Sequence, residues 1–203
     1  MSSIELLYSL WAINSILIFF FMKTSRAKLI LFIYLFLTMI SSHIVLHNAF
    51  QQVSLAFLIL LTALPFILFI HRPYYMMISS FIISISYAAI LLWERISPIW
   101  FILAYPFLIS LFISCIIIIL VKPVYERIIA LTIGMTIGEI IDGLVLHTYH
   151  LQKQIGSLYF LQNLFLSLLI LLSIHLLHRC YIKAFSRKQM EQDIYTFKSR
   201  KIM

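Results

Sequence analysis

The chain has 203 residues, of which 63% are hydrophobic and 11% charged, with a mean hydropathy of +1.06. A soluble fold of this length cannot hide so much apolar side chain, because too large a share of its surface stays exposed; an ordinary soluble domain carries about 25% charged residues. A disordered chain is excluded on the same grounds, and two cysteines are too few for a disulfide scaffold. The solvent for most of this chain is lipid.

A helix needs about 20 apolar residues to cross a hydrocarbon core about 30 Å thick. Seven stretches qualify: 4–22, 28–46, 53–70, 74–93, 98–121, 124–147 and 157–178. They are continuous, not alternating, which excludes a transmembrane β-barrel. The first (IELLYSLWAINSILIFFFM) has no basic run before it and no small-residue cleavage site after it, and reads as a retained span. Short connections make neighbouring helices antiparallel. The expected fold is therefore an all-α, polytopic bundle of seven transmembrane helices over residues 1–178, followed by a basic tail, 179–203. Pro65 and Pro106 fall within spans and predict kinks. Asn14, Gln162 and Asn163 predict interhelical hydrogen bonds, and Ser79, Ser80, Ser84 and Ser86 predict back-bonding or close packing. Trp11, Trp93 and Trp100 fall toward one interface, and Cys115 and Cys180 are expected to be free thiols on different segments.

Lysine and arginine set the orientation. With the N-terminus outside, Lys23, Arg26, Lys28, Arg72, Lys122, Arg127 and seven residues of the tail lie inside, 13 in all, against Arg95 and Lys153 outside. The positive-inside bias therefore predicts N-out, C-in. The net charge of +8 comes mostly from the tail. Because these basic residues are juxtamembrane, anionic lipid headgroups are the partner they suit, at about 1 kcal/mol per residue near the surface, and nucleic acid is not expected. A topology signal alone explains the tail, and is the preferred reading of it. Aromatic and apolar residues among its charges suit a short interfacial helix.

The sixth span carries two acids in GMTIGEIIDGLVLH. An acid at a helix centre costs about 2.5–3.5 kcal/mol on insertion scales, so it should face protein or water. At 100° per residue, Glu139 and Asp142 lie about 60° apart, with Tyr125, Thr132 and Thr136 on the same side. This stripe predicts a face turned to the bundle interior. Gly134 and Gly138 form GxxxG on another face, suited to close helix packing, within the chain or with another membrane protein. In the predicted topology Glu5, His43, His47, Glu139, Asp142 and His147 all come near the outer end.

Three readings of that cluster stay open. It lines a proton or cation path, since intramembrane acids beside histidines are what relays use. It binds metal through His43 and His47 at i, i+4, although HxxxH lacks the glutamate of HExxH and no metalloprotease follows. Or its groups hydrogen-bond one another and fix helix register. No GxSxG, Walker, HExxH or CxxC motif occurs, so neither an enzyme nor a cofactor is expected.

The layout resembles the YphA-like family of small bacterial integral membrane proteins: a length near 200, an opening SSIELLYSLW, a late GEIIDGLVLH and a basic tail. The resemblance implies a bacterial cell-membrane setting and supplies no catalytic residues. Together these readings predict an accessory or regulatory membrane protein without catalysis, or alternatively a small transporter or proton-coupled carrier using Glu139 and Asp142.

The orientation is checked by fusing alkaline phosphatase to the C-terminus, where the enzyme should stay inactive; an active fusion would place the tail outside.

Overall fold

The computed structural model describes residues 3–21, 25–42, 44–47, 52–62, 64–65, 73–96, 105–151 and 154–200. In chain order these form α1 (Ser3–Phe21), α2 (Ser25–Ser41), β1 (Val45–His47), β2 (Gln52–Ser54), α3 (Leu55–Leu61), α4 (Pro73–Ile96), α5 (Tyr105–Leu120), α6 (Val124–Thr148) and α7 (Leu158–Arg200). The all-α class holds, with one small antiparallel hairpin in which Val45, Leu46 and His47 pair with Ser54, Val53 and Gln52. Pro73–Ile96, Val124–Thr148 and Leu158–His178 are long and apolar enough to cross a membrane among the described residues, and Pro106–Leu120 is a shorter apolar helix.

The differences from the expected spans have local causes. The hairpin takes residues from the ends of the second and third stretches. Ser54 then caps α3, accepting from the Phe57 N–H at 3.3 Å, and α3 ends after seven residues, ahead of Pro65. The helix described over the third stretch is therefore much shorter than 53–70. Pro106 sits in the first turn of α5, where its missing N–H costs nothing, so it starts a helix and does not kink one. α4 runs past 93 to Ile96, which makes Glu94 and Arg95 helical and not loop residues. The backbone of the basic segment continues α7 without a break to Arg200, in place of a separate interfacial helix. At 1.5 Å per residue those 43 residues span about 65 Å, twice a bilayer core.

The most extensive helix contact is between α4 and α6, which run in the same direction. A Cβ built on Gly134 would meet the Ile83 Cβ at 2.7 Å and the Ser80 carbonyl oxygen at 2.9 Å. One built on Gly138 would meet the Ser84 carbonyl oxygen at 2.7 Å. Only hydrogen fits at both positions, so the GxxxG face is the α4–α6 seam. It is filled from within the chain, which leaves it closed to a second membrane protein.

α7 packs between α1 and α5 through short polar side chains that reach foreign carbonyls. The hydroxyls of Ser110 and Ser114 donate to the carbonyls of Asn163 (2.9 Å) and Ser167 (3.1 Å), and Asn14 Nδ2 donates to the Phe165 carbonyl (2.9 Å). Ser79, Ser84 and Ser86 back-bond to their own helix. At the turn between α5 and α6, Arg127 donates to the carbonyls of Val121 and Ile118, meeting the open end of α5. α4 leaves Tyr74, Met77, Ile78, Phe81 and Ile85 exposed along one side, an apolar row that suits lipid and not water. Cys115 and Cys180 are free thiols.

Gly138→Leu should lower the unfolding midpoint in detergent, equivalent to about 1–3 kcal/mol for an overpacked core position. An unchanged midpoint would mean that the seam yields freely.

Candidate functional site

The polar stripe of α6 is buried from Thr132 onward. Thr132 is 7% exposed, Glu139 1%, and Thr136 and Asp142 0%. Tyr125 departs from the expectation: it lies in the first turn of α6, where the neighbours thin out, and is exposed. The threonine hydroxyls back-bond within α6, Thr132 to Ile128 (2.9 Å) and Thr136 to Thr132 (2.8 Å). The two acids turn to other elements.

Asp142 Oδ2 pairs with Arg95 Nη2 of α4 at 2.9 Å. The Asp142 side chain is fully buried and the Arg95 side chain 39% exposed, so the arginine reaches inward from the rim. Glu139 Oε1 accepts from the Gly156 N–H at 3.4 Å, at the entry to α7. Gly156 has φ +73°, and a Cβ there would meet the Phe57 Cβ and the Ser54 hydroxyl at 2.5 Å, so conformation and space both demand glycine. The hairpin holds this turn: the Ser54 N–H donates to the Ile155 carbonyl (3.0 Å), and the Ile155 N–H to that of Gln52 (2.9 Å). The backbone of β2 thereby closes the end of the bundle over Glu139. Beside it the Tyr159 hydroxyl donates to Glu94 Oε1 at 2.8 Å, joining α7 to α4.

Tyr87 of α4 lies at the centre, fully buried and edge-on to Phe160 with ring centroids 6.3 Å apart. Glu139, Asn163, Tyr159 and Asp142 all lie within electrostatic reach of its hydroxyl. The site is thus a polar cluster shared by α4, α6 and α7, with Glu139 and Asp142 buried in it, Glu94 half-buried beside Tyr159 and Arg95 at its exposed rim. Chemically it can pin three helices, or hold and pass a proton.

Of the residues expected near this end, Glu139 and Asp142 are in the cluster. His47 lies in β1, paired with Gln52, but its side chain lies outside the described residues, as does all of His43. His147 is exposed in the last turn of α6, and Glu5 is exposed in the first turn of α1. His150 adopts φ 57° where α6 ends, and the next N–H, of Leu151, returns to the Leu146 carbonyl. Among the described residues no three His, Cys, Asp or Glu side chains gather as a metal shell. Sequence reasoning missed Tyr87, Glu94, Tyr159 and the site role of Asn163, and counted Arg95 only as a loop charge. The available signal for Arg95 was a basic residue standing outside, against the charge bias.

No curated protein and no solved structure matches the chain. A family model does, over residues 3–195, from the first turn of α1 to deep in the basic segment, and it covers the α6 acids and every partner described for them. The chain therefore belongs to the family of YphA-like integral membrane proteins.

Proposed function

We propose that this integral membrane protein is a non-catalytic accessory or regulatory component of the bacterial cytoplasmic membrane, with seven spans, N-out and C-in, and that its buried acids fix the arrangement of α4, α6 and α7. The observation that carries this reading is the Arg95–Asp142 ion pair, which gives the most costly side chain of α6 a partner on the helix it packs against. Glu139 turns in the same way to the Gly156 N–H, so each acid engages a different element. The pairing of Arg95 also supports the orientation, because one of the two basic residues counted outside has a structural reason to be there. Anionic headgroups suit the α7 extension, and a second membrane protein would have to dock on a surface other than the Gly134 and Gly138 seam.

The rival reading is a small proton-coupled carrier using Glu139 and Asp142. It draws on the gathering of Tyr87, Glu139 and Asp142, all buried and all titratable, at one end of the bundle.

Two measurements separate them. In a structural lock, Arg95→Met leaves a buried carboxylate without this cation and lowers stability, by less than the about 3–5 kcal/mol of a fully buried pair because the arginine is 39% exposed and partly screened. Adding Asp142→Asn to that variant should restore most of the loss, because the charge goes with its partner. Purified protein in liposomes loaded with a pH-sensitive dye should pass no protons. Proton flux that disappears in Glu139→Gln and Asp142→Asn, with normal accumulation of both variants, would establish the carrier instead.

A further inference from the structure

Three polar atoms at the heart of the cluster lack a hydrogen-bond partner among the described residues: the Tyr87 hydroxyl and both ends of the Asn163 amide, Oδ1 and Nδ2. Both side chains are 0% exposed. Most buried polar side-chain atoms find a partner, so three orphans on two neighbouring residues call for an explanation. The Asn163 amide is close enough to act on the Tyr87 hydroxyl, yet no contact between them meets the distance and angle of a direct hydrogen bond. A polar contact that just misses is where a bridging molecule belongs.

The chemistry of the orphans narrows the guest. A bare cation wants acceptors only, and an anion wants donors only. The Asn163 amide presents one of each whichever way it is flipped, and the tyrosine hydroxyl is both donor and acceptor. A cation held by Oδ1 and the hydroxyl oxygen would leave Asn163 Nδ2 unmet, so a guest that meets all three atoms must give and take hydrogen bonds, and it must fit between side chains of a packed helix interface. A buried water typically makes about three such bonds. The surrounding backbone offers no substitute, because the Asn163 carbonyl is already taken by Ser110 and Ser167.

We propose that the α4–α7 interface holds an ordered internal water between Tyr87 and Asn163, next to Glu139. This goes beyond the accessory reading and does not depend on it, since a locked core and a carrier both accommodate such a water. Its consequence is a hydrogen-bonded link between α4 and α7, through Tyr87 and Asn163, beside Glu139 of α6.

The test is radiolytic labelling of the full-length protein in nanodiscs, in water enriched in oxygen-18 and read by mass spectrometry. Hydroxyl radicals form from bound water, so a buried tyrosine beside one is oxidised although bulk solvent cannot reach it. Tyr87 should take up oxygen-18, while Phe165, equally buried in α7, should not. Asn163→Leu should bring Tyr87 down to the level of Phe165. Labelling of Tyr87 no higher than Phe165 in the unsubstituted protein would overturn the proposal. Should Asn163→Leu fail to fold, the unfolding midpoints of Tyr87→Phe, Asn163→Ala and the double variant decide. A shared water makes the double shift smaller than the sum of the singles. Dry orphans would instead give independent, additive increases in midpoint, and the proposal would fall.

Discussion

The close approach of α4 and α6 is the constraint on which the rest depends. Between helices in lipid there is little hydrophobic drive, because the acyl chains are as apolar as leucine; association rests on dispersion, hydrogen bonds and small residues that let backbones meet. Gly134 and Gly138 place α6 against the carbonyls of Ser80 and Ser84, a distance that no larger residue permits. They also set the axial register. Gly134 lies beside Ser80 and Ile83, and Gly138 beside Ser84 and Tyr87, one turn further on in both helices. The next turn brings Asp142 level with Ala88 to Leu91, and Arg95, a turn further along α4, reaches back to it. A shift of one turn toward the start of α4 would carry the acid away from the guanidinium.

The cluster also needs a lid, and the chain makes one from backbone. The β1–β2 hairpin, the Ile155 bridge and Gly156 form a small hydrogen-bonded cap, and the Gly156 N–H faces Glu139. Irregular backbone at this position is tolerable because its polar groups are used: Ser54 and Ile155 donate to the facing chain, and Ser54 also begins α3. The same glycine serves the apolar side. A side chain there would displace Phe57, whose ring stacks edge-on to Phe160 at 5.9 Å.

Much of the α6 face was legible in advance, since helical periodicity is arithmetic. Glu139, Asp142, Thr132 and Thr136 fall on one side at 100° per residue, and the side that holds both acids must turn away from lipid. The glycine pair was legible as a packing face, but the sequence could not say whether the partner lay in the same chain. The other half of the site was hidden for a different reason. Tyr87 and Asn163 have only serines and Tyr159 a turn away on their own helices, and hydroxyls of this kind commonly bond back to their own backbone, as those of Ser84 and Ser167 do, so no ionisable stripe marks the face and only the bundle brings the two residues together. Arg95 and Glu94 were hidden by a boundary: ending the helix at Trp93 turns them into loop residues, whereas three more helical residues bring them to the rim of the cluster. The hairpin was hidden because its strands are three residues each, too short to show any alternation, and lie inside runs that read as helix.

His147 shows how far a shared depth can mislead. Placing His147 with Glu139 and Asp142 rested on their common end of α6, but eight residues of helix carry it about 12 Å along the axis and 80° around it from Glu139, and it is exposed. Asp142, one turn from Glu139, stays in the interior. Depth in the membrane is therefore a weak criterion for a site, and angle about the helix a strong one. The same reasoning bears on the ion pair. A buried charge pair is poor evidence of net stabilisation, since taking the two groups out of water costs several kcal/mol per ion. What it does supply is discrimination, because any other register forfeits the pairing and keeps the cost. In a solvent where leucine-rich helices would slide or rotate past one another at little expense, that asymmetry is a physical reason for a chain so apolar to keep two acids in α6 and an arginine placed to meet one of them.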